Sequence, residues 1–113
     1  MKNIISEMQQ LQKDVHQNAK DHGWWDNPPE DGTMIALIHS EVSEILEDIR
    51  NGKGYLNSYA ADGKPCGVPS ELADTVIRCM DFAEYHGIDL ATAIIEKNEY
   101  NKTRAYKYGG KAF

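Results

Sequence analysis

Two acidic pairs constrain this chain more than any other feature. They lie in His39-Ser-Glu-Val-Ser-Glu-Ile-Leu-Glu-Asp48 and in Ser70-Glu-Leu-Ala-Asp74. Each segment places two carboxylates three residues apart within a helical pattern, so both project from one helix face. Glu41 pairs with Glu44, and Glu71 with Asp74. Two such helices side by side bring four carboxylates together. Like charges at that spacing repel, and a cation relieves the repulsion. The pattern therefore predicts a divalent metal site between two helices.

The chain has 113 residues, a length that suits one domain spanning 1–113. Its formal net charge of -6 argues against a general electrostatic grip on a nucleic-acid polymer. No apolar run approaches the roughly 18 residues of a membrane helix, and the first fifteen residues lack the apolar core of a signal peptide. The expectation is a cytoplasmic protein without membrane contact. Cys66 and Cys79 have neither metal-ligand spacing nor the numbers for a disulfide framework.

A first helix is expected from Asn3 to about His22. Ile4, Met8, Leu11, Val15 and Ala19 recur at its period, and Gly23 stops it. Trp24 and Trp25 follow, before the helix-breaking Pro28 and Pro29. One tryptophan can plug the end of the core while the other walls a ligand ring, since a nucleobase offers a stackable face. A second helix is expected from about Thr33 to Asn51, capped by Asp31 or Thr33 and ended by Gly52. Its apolar stripe comprises Met34, Ile35, Ile38, Val42, Ile45, Leu46 and Ile49. At about 100° per residue Glu41 borders that stripe, Asp48 lies just beyond and Glu44 a little further. Asp48 is thus a fifth ligand or a hydrogen-bonding support. Residues 51–69 read as a connecting loop, with room for a short helical turn around Leu56 to Ala60.

A third helix is expected from Pro69-Ser70 to Gly87, apolar around most of its circumference and therefore buried. Within it, Asp74 and Arg78 have the spacing of a surface pair, which leaves Glu71 unexplained. A fourth helix is expected from Asp89, as N-cap, to about Ala105. Leu90, Ile94, Lys97, Asn101 and Arg104 share its core-facing stripe, which turns polar halfway. Ammonium, guanidinium and amide groups on such a face suit an anionic ligand, phosphate above all; the alternative is solvent, with the helix running past the core. The basic, aromatic tail from Tyr106 to Phe113 is placed to fold back over the site or onto a neighbouring subunit. The fold class expected is all-α, a four-helix bundle-like core completed by oligomerisation.

Four carboxylates are hard oxygen donors that suit Mg²⁺ or Mn²⁺. No histidine follows a glutamate at Glu-x-x-His spacing, which disfavours a di-iron bundle, and zinc lacks its usual Cys and His ligands. Neither a phosphate-cradling Gly-rich loop nor a Gly-x-Ser-x-Gly elbow occurs. An acidic Mg²⁺ cluster opposed by Lys and Arg is equipment for attacking a phosphoanhydride.

The Glu41-Val-Ser-Glu44 and Glu71-Leu-Ala-Asp74 motifs, followed by Lys97-Asn98, Asn101 and Arg104, resemble the MazG-like branch of the all-α nucleoside triphosphate pyrophosphohydrolases. Gly23-Trp24-Trp25 and the ending Tyr108-Gly-Gly-Lys-Ala-Phe113 are similar to that branch too, so the resemblance spans nearly the whole chain. The family motif often carries a further glutamate just before the first ligand, where this chain has Ser40. The resemblance implies Mg²⁺-dependent hydrolysis of a (deoxy)nucleoside triphosphate to monophosphate and pyrophosphate, and a homo-oligomer, dimer or tetramer. By position it implies Glu41, Glu44, Glu71 and Asp74 as Mg²⁺ ligands, with Glu41 and Glu44 catalytic and Glu44 accepting the proton of the attacking water. It implies Lys97, Asn101 and Arg104 on the phosphates, and Trp24, Trp25, Ile35 and His39 around the base. The single minimal domain fits a phage-borne enzyme of nucleotide-pool control or house-cleaning. A non-catalytic metal- or nucleotide-binding module is the alternative.

Overall fold

The computed structural model describes residues 3–105. It is all-α with one small hairpin: α1 (Ile4–Asp21), α2 (Asp31–Arg50), β1 (Ser58–Tyr59), β2 (Pro65–Cys66), α3 (Val68–Tyr85) and α4 (Leu90–Lys102). The expected placement of the tail from Tyr106 onward lies outside the described residues. Among the described residues no helix is long and apolar enough to cross a membrane.

Local chemistry sets the helix ends. Asn3 caps α1 through its side-chain oxygen, which accepts from the Ile5 and Ser6 amides at 2.9 and 3.4 Å. Asp89 caps α4 and accepts from the Thr92 amide and hydroxyl. The second helix begins two residues before the expected Thr33, and neither Asp31 nor Thr33 is its cap. Glu30 holds that position without a side-chain hydrogen bond, and Asp31, already in the first turn, meets His86 at 2.8 Å instead. The C-termini of α1, α2 and α3 repeat one motif. Gly23, Gly52 and Gly87 adopt positive φ, and the next amide bonds back five residues: Trp24 to Ala19, Lys53 to Asp48 and Ile88 to Ala83. That turn delivers Trp24 to the end of α1 and Lys53 to the side of Asp48. The fourth helix stops at Lys102, short of the expected Ala105.

The principal helix contacts run α2 to α3, α3 to α1 and α1 to α4, so α3 is the central element. The buried side chains among the described residues are Met34, Val68, Met80, Ala83, Ala91 and Gln12. Gln12 sits among them because its amide donates to Glu84 and to the Ile88 carbonyl, both at 3.0 Å. The buried face of α1 therefore turns toward Gln12, leaving Leu11 half exposed, contrary to the simple apolar count. Three further expectations change. The α3 helix is not buried all round, because Leu72 and Val76 are about half exposed. On α4 the inward positions are Leu90, Ala91, Thr92, Ile95 and Asn101, so the expected stripe holds at Leu90 and Asn101 but not at Ile94, Lys97 and Arg104, which are exposed. The stripe of α2 divides: Met34, Ile38 and Ile45 turn inward, whereas Ile35, Val42, Leu46 and Ile49 form an exposed apolar flank.

The helical turn expected near Leu56 to Ala60 is absent. Ser58 and Tyr59 pair antiparallel with Cys66 and Pro65 instead, and the turn between them includes Gly63 at positive φ. Gly67 links this hairpin to α3 at φ 84°, ψ -170°, a region that is essentially glycine-only. A Cβ there would also lie 3.0 Å from the Ser58 hydroxyl. Gly67→Ala is expected to lower stability by about 1–3 kcal/mol. Gly54→Ala, with open space around it, should stay within about 0.5 kcal/mol of the parent. Urea unfolding of both variants checks this; equal stabilities would show that the hairpin–α3 joint carries no backbone constraint.

Candidate functional site

The inward arc of α2 places Glu41, Asp48 and, at its rim, Glu44 against the first turns of α3. Pro69 in the opening turn of α3 leaves Glu71 facing them. One carboxylate oxygen each from Glu41, Glu44 and Glu71 lies within 4.8 Å of the others. Glu41 and Glu71 are half buried and Glu44 is exposed, so the trio sits in a crevice with one open side. Oxygens held this way on two helices have the number and hardness to grip a Mg²⁺-like ion that keeps part of its water shell.

The electrostatics are those of a site crowded with negative charge. Burial pushes the Glu71 carboxyl up to about 7, and a hydrogen bond with Glu44 and the charges of Glu44, Asp74 and Asp48 add to it. The Oε2 of Glu71 and the Oδ2 of Asp48 are sealed from solvent without a hydrogen-bond partner among the described residues. Two cations relieve part of the charge. Arg78 Nε donates to Glu41 Oε1 at 2.8 Å, and Lys53 Nζ stands 3.5 Å from Asp48 Oδ1. Asp74 is not one of the three whose oxygens converge. It stands close by: burial of its carboxyl, then the charge of Glu41, raise its pKa, and Arg78 partly offsets them. The Asp74–Arg78 surface pair suggested by spacing is not formed as such, since the guanidinium turns to Glu41.

A cleft of about 440 Å³ opens beside the trio, lined by Glu41, Asp74 and Arg78 at one end and by Asn18, Trp24 and Asp81 beyond. The two tryptophans divide their roles. Trp25 is half buried, stacks on Tyr85 at 4.2 Å between centroids and donates to Asp81 Oδ1 at 2.9 Å. Trp24 is 61% exposed and carries the Arg78 guanidinium 5.7 Å from its ring centroid. His16 Nδ1 meets the same Asp81 oxygen at 2.6 Å.

The remaining sequence candidates lie elsewhere. Ile35 and His39 are exposed, do not line this cleft, and lie on the apolar flank of α2. Lys97, Asn101 and Arg104 belong to α4 and its end, and α4 packs principally on α1. Lys97 Nζ sits 5.1 Å over the Tyr100 ring. The Oδ1 of Asn101 is buried without a partner among the described residues. Their phosphate-facing role therefore does not follow from the geometry of this chain alone. Arg78, Asp81 and His16 went unselected in the sequence. Asp74, Arg78 and Asp81 at i, i+4 and i+7 on one face of α3 were the available signal.

The raised Glu71 fixes a pH dependence. A carboxyl at about 7 in the folded chain and 4.5 unfolded binds more protons when folded between those values, so stability falls as pH rises through that window. In EDTA, the melting temperature of the wild type should decline from pH 4.5 to 7.5. Glu71→Gln, which keeps the shape without the charge, should flatten that decline and melt higher than wild type at pH 7.5. Parallel pH profiles for the two proteins would show that the crevice does not raise Glu71.

No family model, curated protein or solved structure matches this chain, so its chemistry is argued from these residues.

Proposed function

We propose that the protein is a MazG-like nucleoside triphosphate pyrophosphohydrolase, dependent on Mg²⁺ or Mn²⁺ and acting on the cytoplasmic nucleotide pool. The observation that carries the reading is the convergence of Glu41, Glu44 and Glu71 across α2 and α3. Sealed, partnerless oxygens on Glu71 and Asp48 support it, because buried acceptors without donors are costly and a cation satisfies them. A divalent ion bound there supplies charge neutralisation for the polyphosphate and acidifies water. Glu41, Glu44 and Glu71 hold the ion, Asp74 extends the acidic face, and Asp48 braces the crevice from behind. Glu44, the exposed member, is best placed to accept the proton of the water that attacks the α-phosphorus. Arg78 holds Glu41 in position.

The reading includes a homo-oligomer, a dimer or tetramer. Ile35, Val42, Leu46 and Ile49 on α2, with Leu72 and Val76 on α3, are each 41–52% exposed. An apolar face of this extent on adjoining helices is better covered than wet. In the assembly a neighbouring α4 supplies Lys97, Asn101 and Arg104 to the phosphates, and His39 and Ile35 lie at the subunit contact.

Pyrophosphate release from a panel of NTPs and dNTPs tests the activity. Mg²⁺ should support release and EDTA abolish it. Glu44→Gln should cut turnover by about 10²–10⁴-fold with the helical circular dichroism unchanged. Turnover that survives in this variant would remove Glu44 from the chemistry, and Mg²⁺-dependent thermal stabilisation without release would leave a binding module. For the assembly, Val42→Glu combined with Leu46→Glu should convert the protein to monomer in sedimentation velocity. A wild type that already sediments as monomer would defeat the oligomer.

A further inference from the structure

The cleft runs from the acidic trio to Asp81, and Asp81 has an arrangement that the reaction at the phosphates does not use. Its Oδ1 accepts from two donors on different elements, Trp25 Nε1 at 2.9 Å and His16 Nδ1 at 2.6 Å. That clamps the carboxylate in one orientation. No partner for Oδ2 occurs among the described residues, and the side chain, 20% exposed, borders the cleft. A fixed, half-buried acceptor without a donor invites one. Trp24 supplies a flat aromatic wall in the same cleft. On α3, Asp74 and Asp81 lie seven residues apart on one face, about 10 Å along the axis. A nucleoside is long enough to bridge from a phosphate at the trio to Asp81.

Building on the pyrophosphohydrolase reading, we propose that this cleft is the base pocket and that Asp81 selects bases carrying an exocyclic amino group. Adenine, cytosine and guanine each present an amino N–H that Oδ2 accepts. Thymine and uracil present carbonyl oxygens on both sides of their single ring N–H, and those lone pairs meet a carboxylate unfavourably. Asn18 lines the same cleft and its amide donates to the acceptor beside the amino group. Discrimination comes from leaving a clamped polar group unpaired with the wrong base, the strongest form of selection such a pocket has.

Two measurements separate this proposal from the reaction. The first titrates the folded protein, without metal, with dAMP, dCMP, dGMP and dTMP, following tryptophan fluorescence. The three amino-bearing nucleotides should bind roughly tenfold or more tightly than dTMP. Asp81→Asn, which keeps an oxygen for His16 and Trp25 but turns an amide toward the cleft, should erase or invert that ratio. Trp24→Leu, at an exposed position, should weaken all four together. Equal binding of dTMP, no binding of any monophosphate, or a ratio unchanged in a folded Asp81→Asn variant overturns the proposal. Should Asp81→Asn not fold, the wild-type ratio decides alone. The second measurement is pyrophosphate release from the matching triphosphates. Selective binding without release defeats the hydrolase reading and leaves the pocket standing. Release at equal kcat/KM from dTTP and dCTP leaves the hydrolase and defeats the pocket.

Discussion

The structure turns on how carboxylates tolerate one another across the α2–α3 contact. Glu41, Glu44 and Asp48 approach from one side, Glu71 and Asp74 from the other, within the most extensive helix contact of the molecule. Helix packing of this kind ordinarily excludes charge from its seam. Here three features temper the charge: the upward-shifted Glu71 carboxyl, Arg78 on Glu41 and Lys53 on Asp48. None satisfies the sealed oxygens of Asp48 and Glu71. The chain thus concentrates uncompensated negative charge where α2 meets α3, and that charge is what the proposed cation would neutralise.

Helix termination then serves the site. The same glycine-based turn ends α1 and α2, and in each the residue that closes it matters. After α1 it is Trp24, which becomes the wall of the cleft; after α2 it is Lys53, which reaches back to Asp48. Gly67 performs the corresponding service at the start of α3, where its backbone geometry brings the chain out of the hairpin and leaves Glu71 in the opening turn. Aromatic wall, screening cation and buried carboxylate are therefore placed by backbone geometry that local sequence encodes.

That local encoding explains what was legible beforehand. Asn3, Asp89, Gly23, Gly52 and Gly87 announce helix ends through their own side chains or their lack of one, and four helices followed from them and from the apolar period. The Glu41–Glu44 and Glu71–Asp74 spacings announced an acidic face on each of two helices. Contacts between distant residues were not legible. Arg78 has Asp74 at pairing distance in sequence but finds Glu41, because tertiary packing brings α2 closer to its guanidinium. Asp81 meets His16 and Trp25 across 65 and 56 residues, and its place seven residues after Asp74 on one face of α3 says nothing of those two partners. The strands at Ser58 and Pro65 are too short for a two-residue period to appear. Capping of α2 misled because Asp31 has a competing partner in His86.

The width of the α2 stripe has a further meaning. An apolar arc that takes in both Ile38 and Leu46 is broader than one neighbouring helix can cover, and α3 takes only its inner part. The uncovered part lies opposite the acidic rim: Ile35 and Glu44 are nine residues apart, which places them about 180° apart around the axis. A partner seated on the flank through Ile35, Val42 and Leu46 therefore leaves Glu44 open to solvent and substrate. The apolar flank and the acidic edge fall on opposite sides of one helix, so the association proposed above would not compete with access to the crevice. Had the acidic pair been set two residues later along the helix, at positions 43 and 46, one carboxylate would have entered the apolar flank and the other would have turned away from α3. The register of Glu41 and Glu44 against Val42 and Leu46 is what sets the acidic edge and the apolar flank apart on twenty residues of helix.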